Sequence, residues 1–133
     1  MGSRQYYVAV FGDPSDPPKK DLVESGRYET DARYAPRPKP GDLILLYCTE
    51  QSRKFPKQLP GIGQVTTVDG EAVVSYRWIP LDEPIPKTVI DQTFEANDTR
   101  SLQNIRFSTK WLFEISERSF MRTVRDQMPN AAT

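Results

Sequence analysis

The chain of 133 residues contains no histidine and a single cysteine, Cys48. A Ser-His-Asp or Cys-His nucleophile system cannot be built without an imidazole to act as the general base. One cysteine also excludes a thiolate zinc site within the chain and an internal disulfide. We therefore expect no catalytic residues and no metal ligands, and the single cysteine favours a reducing, cytoplasmic compartment.

Other features of enzymes and membrane proteins are also missing from the sequence. It has no GxGxxG and no GxxxxGK[ST] segment, so neither a dinucleotide site nor a phosphate-binding P-loop is indicated. Its carboxylates fall in segments such as "LDEP" without a spacing that pairs them. No apolar run approaches the roughly 20 residues that span a bilayer. The sequence predicts a protein that is not an enzyme, holds no cofactor and has no membrane partner.

Net charge gives no general attraction to a polyanion. Lysine and arginine together number 18, and aspartate and glutamate together also number 18. Any binding of anions must therefore depend on a local concentration of cations.

The length predicts a single domain that covers residues 1–133. The pattern of apolar residues predicts that this domain consists mainly of strands. "QYYVAVF" (5–11) and "DLILLYC" (42–48) are β-branched, aromatic and aliphatic runs. "GIGQVTTV" (61–68) and "AVVSYRWIPL" (72–81) flank an Asp-Gly turn, which is typical of an antiparallel hairpin. We expect residues 42–48 and the two hairpin strands to be neighbours in one curved sheet, and we expect the following residues in its core: Leu43 or Ile44, Leu45, Val65 and Val74.

Three peripheral helices are predicted, over residues 15–26, 86–95 and 116–128. In the last of these, Ser116 is a candidate N-cap and a stripe of four apolar side chains has helical spacing. The stripe consists of Phe120, Met121, Val124 and Met128, and its simplest interpretation is packing against the core. Residues 27–40 have no period and several prolines, which predicts a long loop. The predicted fold class is α+β, a mixed, partly closed β-barrel with peripheral helices.

Several of these segments, taken in order, resemble the EVE domain of the PUA-like superfamily. "KPGDLILLY" and "PGIGQVTTV" resemble a family pattern in which a Gly-Asp turn opens a central strand and a glycine-containing strand follows. "YYVAVF", "SYRWIPLDEPIP" and "IRFS" are similar to further family elements, and the resemblance covers residues 6–126. PUA-like domains, including the YTH and SRA groups, commonly bind RNA or DNA, and several hold a modified base in a pocket on the barrel.

The resemblance implies a pocket with aromatic walls and a few polar groups that read the edge of a flipped base. The wall candidates are Tyr28, Tyr47 and Trp78; the edge-reading candidates are Glu29, Thr30, Thr49 and Ser108. Tyr28 falls in the predicted loop, where a ring is less easily explained by core packing than on a strand. For each of the three rings, packing in the core is the alternative role. The hydroxyls have the alternative of bonding to nearby backbone.

Two local clusters of cations are candidates for contacts with the phosphates that flank such a base. They are Arg33, Arg37 and Lys39 in one cluster, and Arg53, Lys54 and Lys57 in the other, around Phe55 in "QSRKFPKQ". The alternative is that these side chains are ordinary solvated charges.

Together these features favour a non-catalytic nucleic-acid-binding module that recognises a modified base such as 5-methylcytosine in DNA or RNA. The alternative is a sensor of a small molecule or nucleotide, or a protein-interaction domain, within a defence or regulatory system. In either case an effector protein is an expected partner.

Overall fold

The computed structural model describes residues 4–11, 26–29, 37–49, 55–69, 73–103 and 112–125. These residues form six strands and three helices. In chain order they are β1 (Tyr6–Phe11), β2 (Arg27–Glu29), β3 (Leu43–Cys48), β4 (Gln58–Asp69), β5 (Val73–Pro86), α1 (Lys87–Thr93), α2 (Ala96–Gln103), β6 (Leu112–Ile115) and α3 (Glu117–Val124). The α+β class predicted from the sequence is confirmed.

The strands form one sheet in the order β2-β5-β4-β3-β1-β6. β1 and β3 are parallel, with Tyr6 opposite Leu43 and Phe11 opposite Cys48, whereas the other pairs are antiparallel. The predicted hairpin is β4 and β5, and β3 lies beside it, so the expected adjacency of these three strands is confirmed. Register shifts interrupt the hairpin between Leu59 and Gly61 and again near Thr67. Irregularities of this kind increase local twist and help a sheet to curl.

The curl of the sheet is visible in a contact between strands that are not neighbours. β2 and β1 are separated by three other strands, so in a flat sheet they would stand about 19 Å apart at roughly 4.8 Å per strand. The ring of Tyr28 on β2 nevertheless lies 4.9 Å from that of Phe11 on β1, centroid to centroid. The sheet therefore closes partly on itself, which confirms the predicted partly closed barrel.

Every residue of β1 and β3 is buried, because side chains alternate between two covered faces. On the concave face, an inner cluster contains Tyr7, Ala9, Phe11, Tyr28, Ile44, Leu46, Cys48, Val65, Val74, Tyr76 and Leu112. On the convex face, an outer cluster joins Tyr6, Val8, Val10, Leu43, Leu45, Tyr47 and Ile62 to the helices through Ile90, Phe94, Phe120 and Val124. All the core residues predicted from the sequence are buried.

Two of the predicted helices are confirmed. α1 lies within residues 86–95, and α3 begins after Ser116, whose Oγ accepts a hydrogen bond from the Ser119 amide at 3.0 Å. Phe120 and Val124 are buried as expected. Met121 is 43% exposed, so the prediction that it packs against the core is wrong. The buried face of α3 includes Ser119 and Thr123, whose hydroxyls form hydrogen bonds. A stripe predicted from apolar residues alone omits both of them. Met128 lies outside the described residues.

Other parts of the secondary structure depart from the sequence prediction or cannot be compared with it. The sequence predicts a loop for residues 27–29, but they form β2, because they pair with β5 and close the edge of the sheet. The short strand β6 and the helix α2 are not predicted, and α2 has little apolar periodicity, with Leu102 as its buried hydrophobic residue. The predicted helix over 15–26 lies outside the described residues except for Gly26, which has a φ of 79°.

Candidate functional site

Two glycines of β4 make room for two aromatic rings of β5 on the concave face. A Cβ added at Gly61 would lie 2.5 Å from Cη2 of Trp78, and one added at Gly63 would lie 2.6 Å from Cδ2 of Tyr76. Neither glycine has a positive φ, so space rather than backbone freedom explains them. Tyr76 is buried in the inner cluster, whereas Trp78 packs against that cluster and remains half-buried. The six-membered ring of the Trp78 indole is therefore held against the β4 backbone while part of the side chain reaches solvent.

Backbone hydrogen bonds connect the ends of β1 and β3 to the start of β4. The Thr49 amide donates to the Phe11 carbonyl at 3.0 Å, and the Lys57 amide donates to the Thr49 carbonyl at 3.2 Å. The Lys57 carbonyl in turn accepts from the Lys87 amide at 3.0 Å. Lys57 has a φ of 55°, a left-handed conformation that is uncommon outside glycine and is held here by bonds on both sides. Its exposed side chain thus projects from a fixed backbone.

We define the barrel-end site as Phe11, Thr49, Phe55 and Lys57, at the ends of β1 and β3 and just before β4. Trp78 packs against the same inner cluster from β5. Phe55 packs against the inner cluster, as Trp78 does, and is also half-buried. The site combines apolar ring surface, a buried threonine and an exposed ammonium. Flat apolar surface suits stacking of a base, and an adjacent cation suits a phosphate. The sequence pointed to Thr49, Lys57 and Trp78; it missed Phe11 and Phe55, although Phe55 lies within the basic segment that it singled out.

Tyr28 is part of the inner cluster rather than a loop residue. It is 4% exposed, and its hydroxyl donates to the Val10 carbonyl at 2.8 Å. The prediction that it lies on a loop is therefore wrong, because pairing with Val74 on β5 makes the segment an edge strand that points this ring inward. The contacts of Tyr28 are those of a residue that closes the barrel.

Tyr47 lies on the opposite face of the sheet from Trp78. It belongs to the outer cluster with Leu43 and Leu45 and is 4% exposed. The structure therefore does not bring Tyr47 together with Trp78 and Tyr28 on one wall. The reason is that successive side chains of β3 point to opposite faces of the sheet. Cys48 points to the concave face, so Tyr47 points to the convex face.

The remaining candidates divide by whether the structure describes them. Thr30, Arg33, Arg53, Lys54 and Ser108 lie outside the described residues, and of Glu29 only the backbone, at the end of β2, is described. Arg37 and Lys39 are exposed and precede β3. Their proposed contacts with phosphate stay predictions.

Asp42 is a buried carboxylate that the sequence analysis did not single out. Oδ1 accepts from the Gln5 amide at 3.0 Å and Oδ2 accepts from the Lys39 amide at 2.8 Å. Gly41, at a φ of 95°, makes the turn that places this carboxylate there. The "PGD" turn was the available signal, because aspartate commonly bonds to nearby backbone in turns. Asp42 thus fixes the segment that carries Lys39 and supports the fold.

Tyr7, at the start of β1, is affected by this carboxylate. Burial raises the pKa of Tyr7 to about 12, and the charges of Asp42 and Glu114 add to the shift. Burial also raises the pKa of Tyr6. Both phenols are therefore neutral in the folded protein near pH 7.

Within the described parts of the chain, no group of three or more cysteine, aspartate or glutamate side chains could hold a metal ion. No helix among them is long and apolar enough to cross a membrane. The cytoplasmic location stays a prediction.

Comparison with known proteins shows likeness at the level of structure. No family model and no curated protein matches the sequence. The crystal structure of ASCH from Zymomonas mobilis is similar with a TM-score of 0.55 and 13% identity over 95% of this chain and 98% of that one. The crystal structure of a serine-to-alanine mutant of the same Zymomonas mobilis protein is similar with a TM-score of 0.53 and 13% identity over 96% and 100%. ASCH domains have the same PUA-like fold class as EVE domains, while the specific EVE resemblance stays a prediction. This chain has the PUA-like fold, a mixed, partly closed β-barrel with peripheral helices.

Proposed function

We propose that this protein is a non-catalytic module that binds nucleic acid, RNA above all, and recognises a modified base against Trp78. The observation that carries the proposal is the half-buried indole, held over Gly61 with part of its surface open to solvent. Stacking on an aromatic ring is worth about 1 to 3 kcal/mol per base. A ring that is already fixed before binding loses little rotamer freedom when the base arrives. The PUA-like fold shared with ASCH domains supports the assignment of RNA as the ligand.

The residues of the barrel-end site have complementary roles in this proposal. Phe55 extends the apolar surface, Thr49 contributes a hydroxyl for a base edge, and Lys57 approaches a flanking phosphate. The lack of histidine supports the absence of catalysis, because the commonest general base of RNA cleavage and acyl transfer is missing. RNA incubated with the protein should remain intact, and cleavage would remove the non-catalytic part of the proposal.

The test measures dissociation constants by fluorescence anisotropy for the wild type and Trp78→Leu. The ligands are matched RNA and DNA single strands of about 20 nucleotides, with and without 5-methylcytosine, 5-hydroxymethylcytosine or N6-methyladenine. Leucine keeps apolar bulk over Gly61 but cannot stack, so we expect affinity to fall by roughly 5- to 150-fold. The preferred modified strand should lose more than its unmodified match.

Tyr76→Leu is the matched control, because that ring lies over Gly63 in the same way but is buried. It should lower stability and leave affinity per folded molecule near that of the wild type. Equal affinities for wild type and Trp78→Leu on every strand would remove Trp78 from the site. Equal affinity for modified and unmodified strands would remove base modification from the proposal while leaving nucleic-acid binding.

Salt dependence separates this proposal from the sensor of an uncharged small molecule. The variant Arg53→Ala/Lys54→Ala/Lys57→Ala should flatten the plot of log affinity against log salt by up to about 2 units, at roughly 0.7 per lost contact with a single strand. An unchanged slope would assign this cluster to the solvated surface.

A further inference from the structure

The solvent face of α3 carries three arginines and a methionine in one narrow arc. Arg118, Met121, Arg122 and Arg125 are all exposed. At about 100° per residue they occupy an arc of roughly 100°, and the three arginines span about 10 Å along the helix axis. We call Arg118, Arg122 and Arg125 the arginine stripe. Met121 lies beside it and is the one large hydrophobic side chain that is exposed among the described residues.

Helix stability explains only part of the arginine stripe: Arg122 and Arg125 lie at the C-terminal end of α3, where the helix dipole favours basic residues. Arg118 and Arg122 are an i,i+4 pair of like charge, and such pairs destabilise a helix by about 0.2 to 0.5 kcal/mol. Arg118 also stands in the first turn, where the helix dipole favours acidic residues. None of the three forms an ion pair within 4 Å with any residue in the described parts of the chain. Helix stability therefore leaves Arg118 unexplained, and the described residues leave all three guanidinium groups without an acidic partner within 4 Å.

The arginine stripe lies away from the barrel-end site. α3 packs on the convex face, where the Phe120 ring is 4.8 Å from that of Tyr6. Tyr6 begins β1 and Phe11 ends it, five residues or about 17 Å farther along the strand on the concave face. Trp78 packs on the concave face as well, on the other side of the sheet from α3, so contacts made by the stripe are additional to those of a base held at Trp78.

We infer that the arginine stripe is a second surface for nucleic acid, which binds the phosphate backbone without reading sequence. Guanidinium groups bind phosphate oxygens bidentately and are more weakly hydrated than ammonium groups, so arginine suits this contact. B-DNA presents one negative charge per about 1.7 Å of axis, so a row of cations about 10 Å long faces several phosphates. The inference rests on the proposed function and extends it by assigning a separate surface to the same class of ligand.

The experiment compares two double variants that each remove two exposed arginine charges. Arg118→Ala/Arg122→Ala alters the arginine stripe, and Arg77→Ala/Arg100→Ala alters β5 and α2. Affinity for a single-stranded RNA of about 20 nucleotides is measured by anisotropy between about 50 and 200 mM KCl. In the stripe variant, the slope of log affinity against log salt should be shallower by about 1.4 units. The ratio of wild-type to variant affinity should therefore fall roughly sevenfold between about 50 and 200 mM KCl. The matched variant should keep the slope of the wild type.

Two further variants separate the stripe from the proposed base pocket. Arg118→Lys/Arg122→Lys should restore the slope, because lysine also neutralises phosphate. In the Trp78→Leu background, the stripe substitutions should flatten the slope by the same amount. A slope unchanged by the stripe variant while Trp78→Leu weakens binding would overturn this inference alone and would fit an acidic protein partner instead. A stripe effect without any Trp78 effect would overturn the base pocket alone.

Discussion

The phenol of Tyr28 joins two strands that are not neighbours in the sheet. Its ring packs edge-on against Phe11, with an interplanar angle of 60°, and its hydroxyl bonds to the Val10 carbonyl. The Tyr28 hydroxyl can donate to the edge of a base only if its hydrogen bond to the Val10 carbonyl breaks. At this position, closure of the barrel therefore takes precedence over ligand binding.

Truncating Tyr28 should reduce the stability of the fold. Tyr28→Ala removes a large buried aromatic side chain and should lower the free energy of unfolding by about 3 to 5 kcal/mol. Tyr28→Phe removes only the hydrogen bond and should lower it by about 0.5 to 1.5 kcal/mol. Urea denaturation measures both. Loss of RNA affinity with little change in stability would instead return Tyr28 to the base pocket as a wall.

At the scale of elements, a buried carboxylate connects α2 to the start of α3. Oδ2 of Asp98 accepts from the Ser116 amide and hydroxyl, each at 3.1 Å, and from Oγ of Ser119 at 2.5 Å. Oγ of Ser119 also accepts from the Glu95 amide at 2.8 Å. This network explains why two serines are buried or half-buried at the beginning of α3, and it sets the direction in which the arginine stripe faces.

Asp98→Ala should lower the free energy of unfolding by about 1.5 to 3 kcal/mol. The substitution removes the carboxylate that accepts hydrogen bonds from the Ser116 amide and from the Ser116 and Ser119 hydroxyls. Thr99→Ala, the next position on α2, is the control: its hydroxyl has only a 3.5 Å contact with the Phe94 carbonyl. Thermal or urea unfolding compares the two variants. Equal losses for both would mean that the Asp98 network contributes no net stability.

At the scale of the whole molecule, the inner cluster makes folding sensitive to alkaline pH. Tyr7 ionises near pH 10 in the unfolded chain, whereas burial and nearby carboxylates raise its pKa to about 12 in the folded one. The unfolded state therefore releases this proton first. The contribution of Tyr7 to stability is fully present below about pH 10 and is lost as the pH rises through about 12.

The Tyr7→Phe variant should lose less stability than the wild type between about pH 10 and pH 12. The difference should be on the order of 1 to 2 kcal/mol, because solvent screening reduces what a shift to about 12 would give in full. Urea denaturation at a series of pH values measures it, and values near pH 7 give the packing effect alone, because the phenol is neutral there. Parallel losses in both proteins would assign the alkaline sensitivity to other groups such as Tyr6.

The sequence by itself determined the features that depend on local chemistry. The apolar runs of β1 and β3, the pairing of β4 with β5, and the Ser116 cap all follow from side-chain type and short spacing. The absence of histidine restricted the chemistry in the same way, because composition needs no coordinates. The sequence places Gly61 and Gly63 on a strand. It does not show which aromatic rings pack over them.

Only the tertiary structure decided which face each strand residue occupies. β1 and β3 are apolar at every position, so no alternation of polar and apolar residues shows that Cys48 faces the inner cluster and Tyr47 the outer one. The three residues of β2 are too few to show a period, and they form a strand because β5 offers an open edge. Pairing and curl depend on contacts between residues far apart in the chain, and a local pattern carries no record of them.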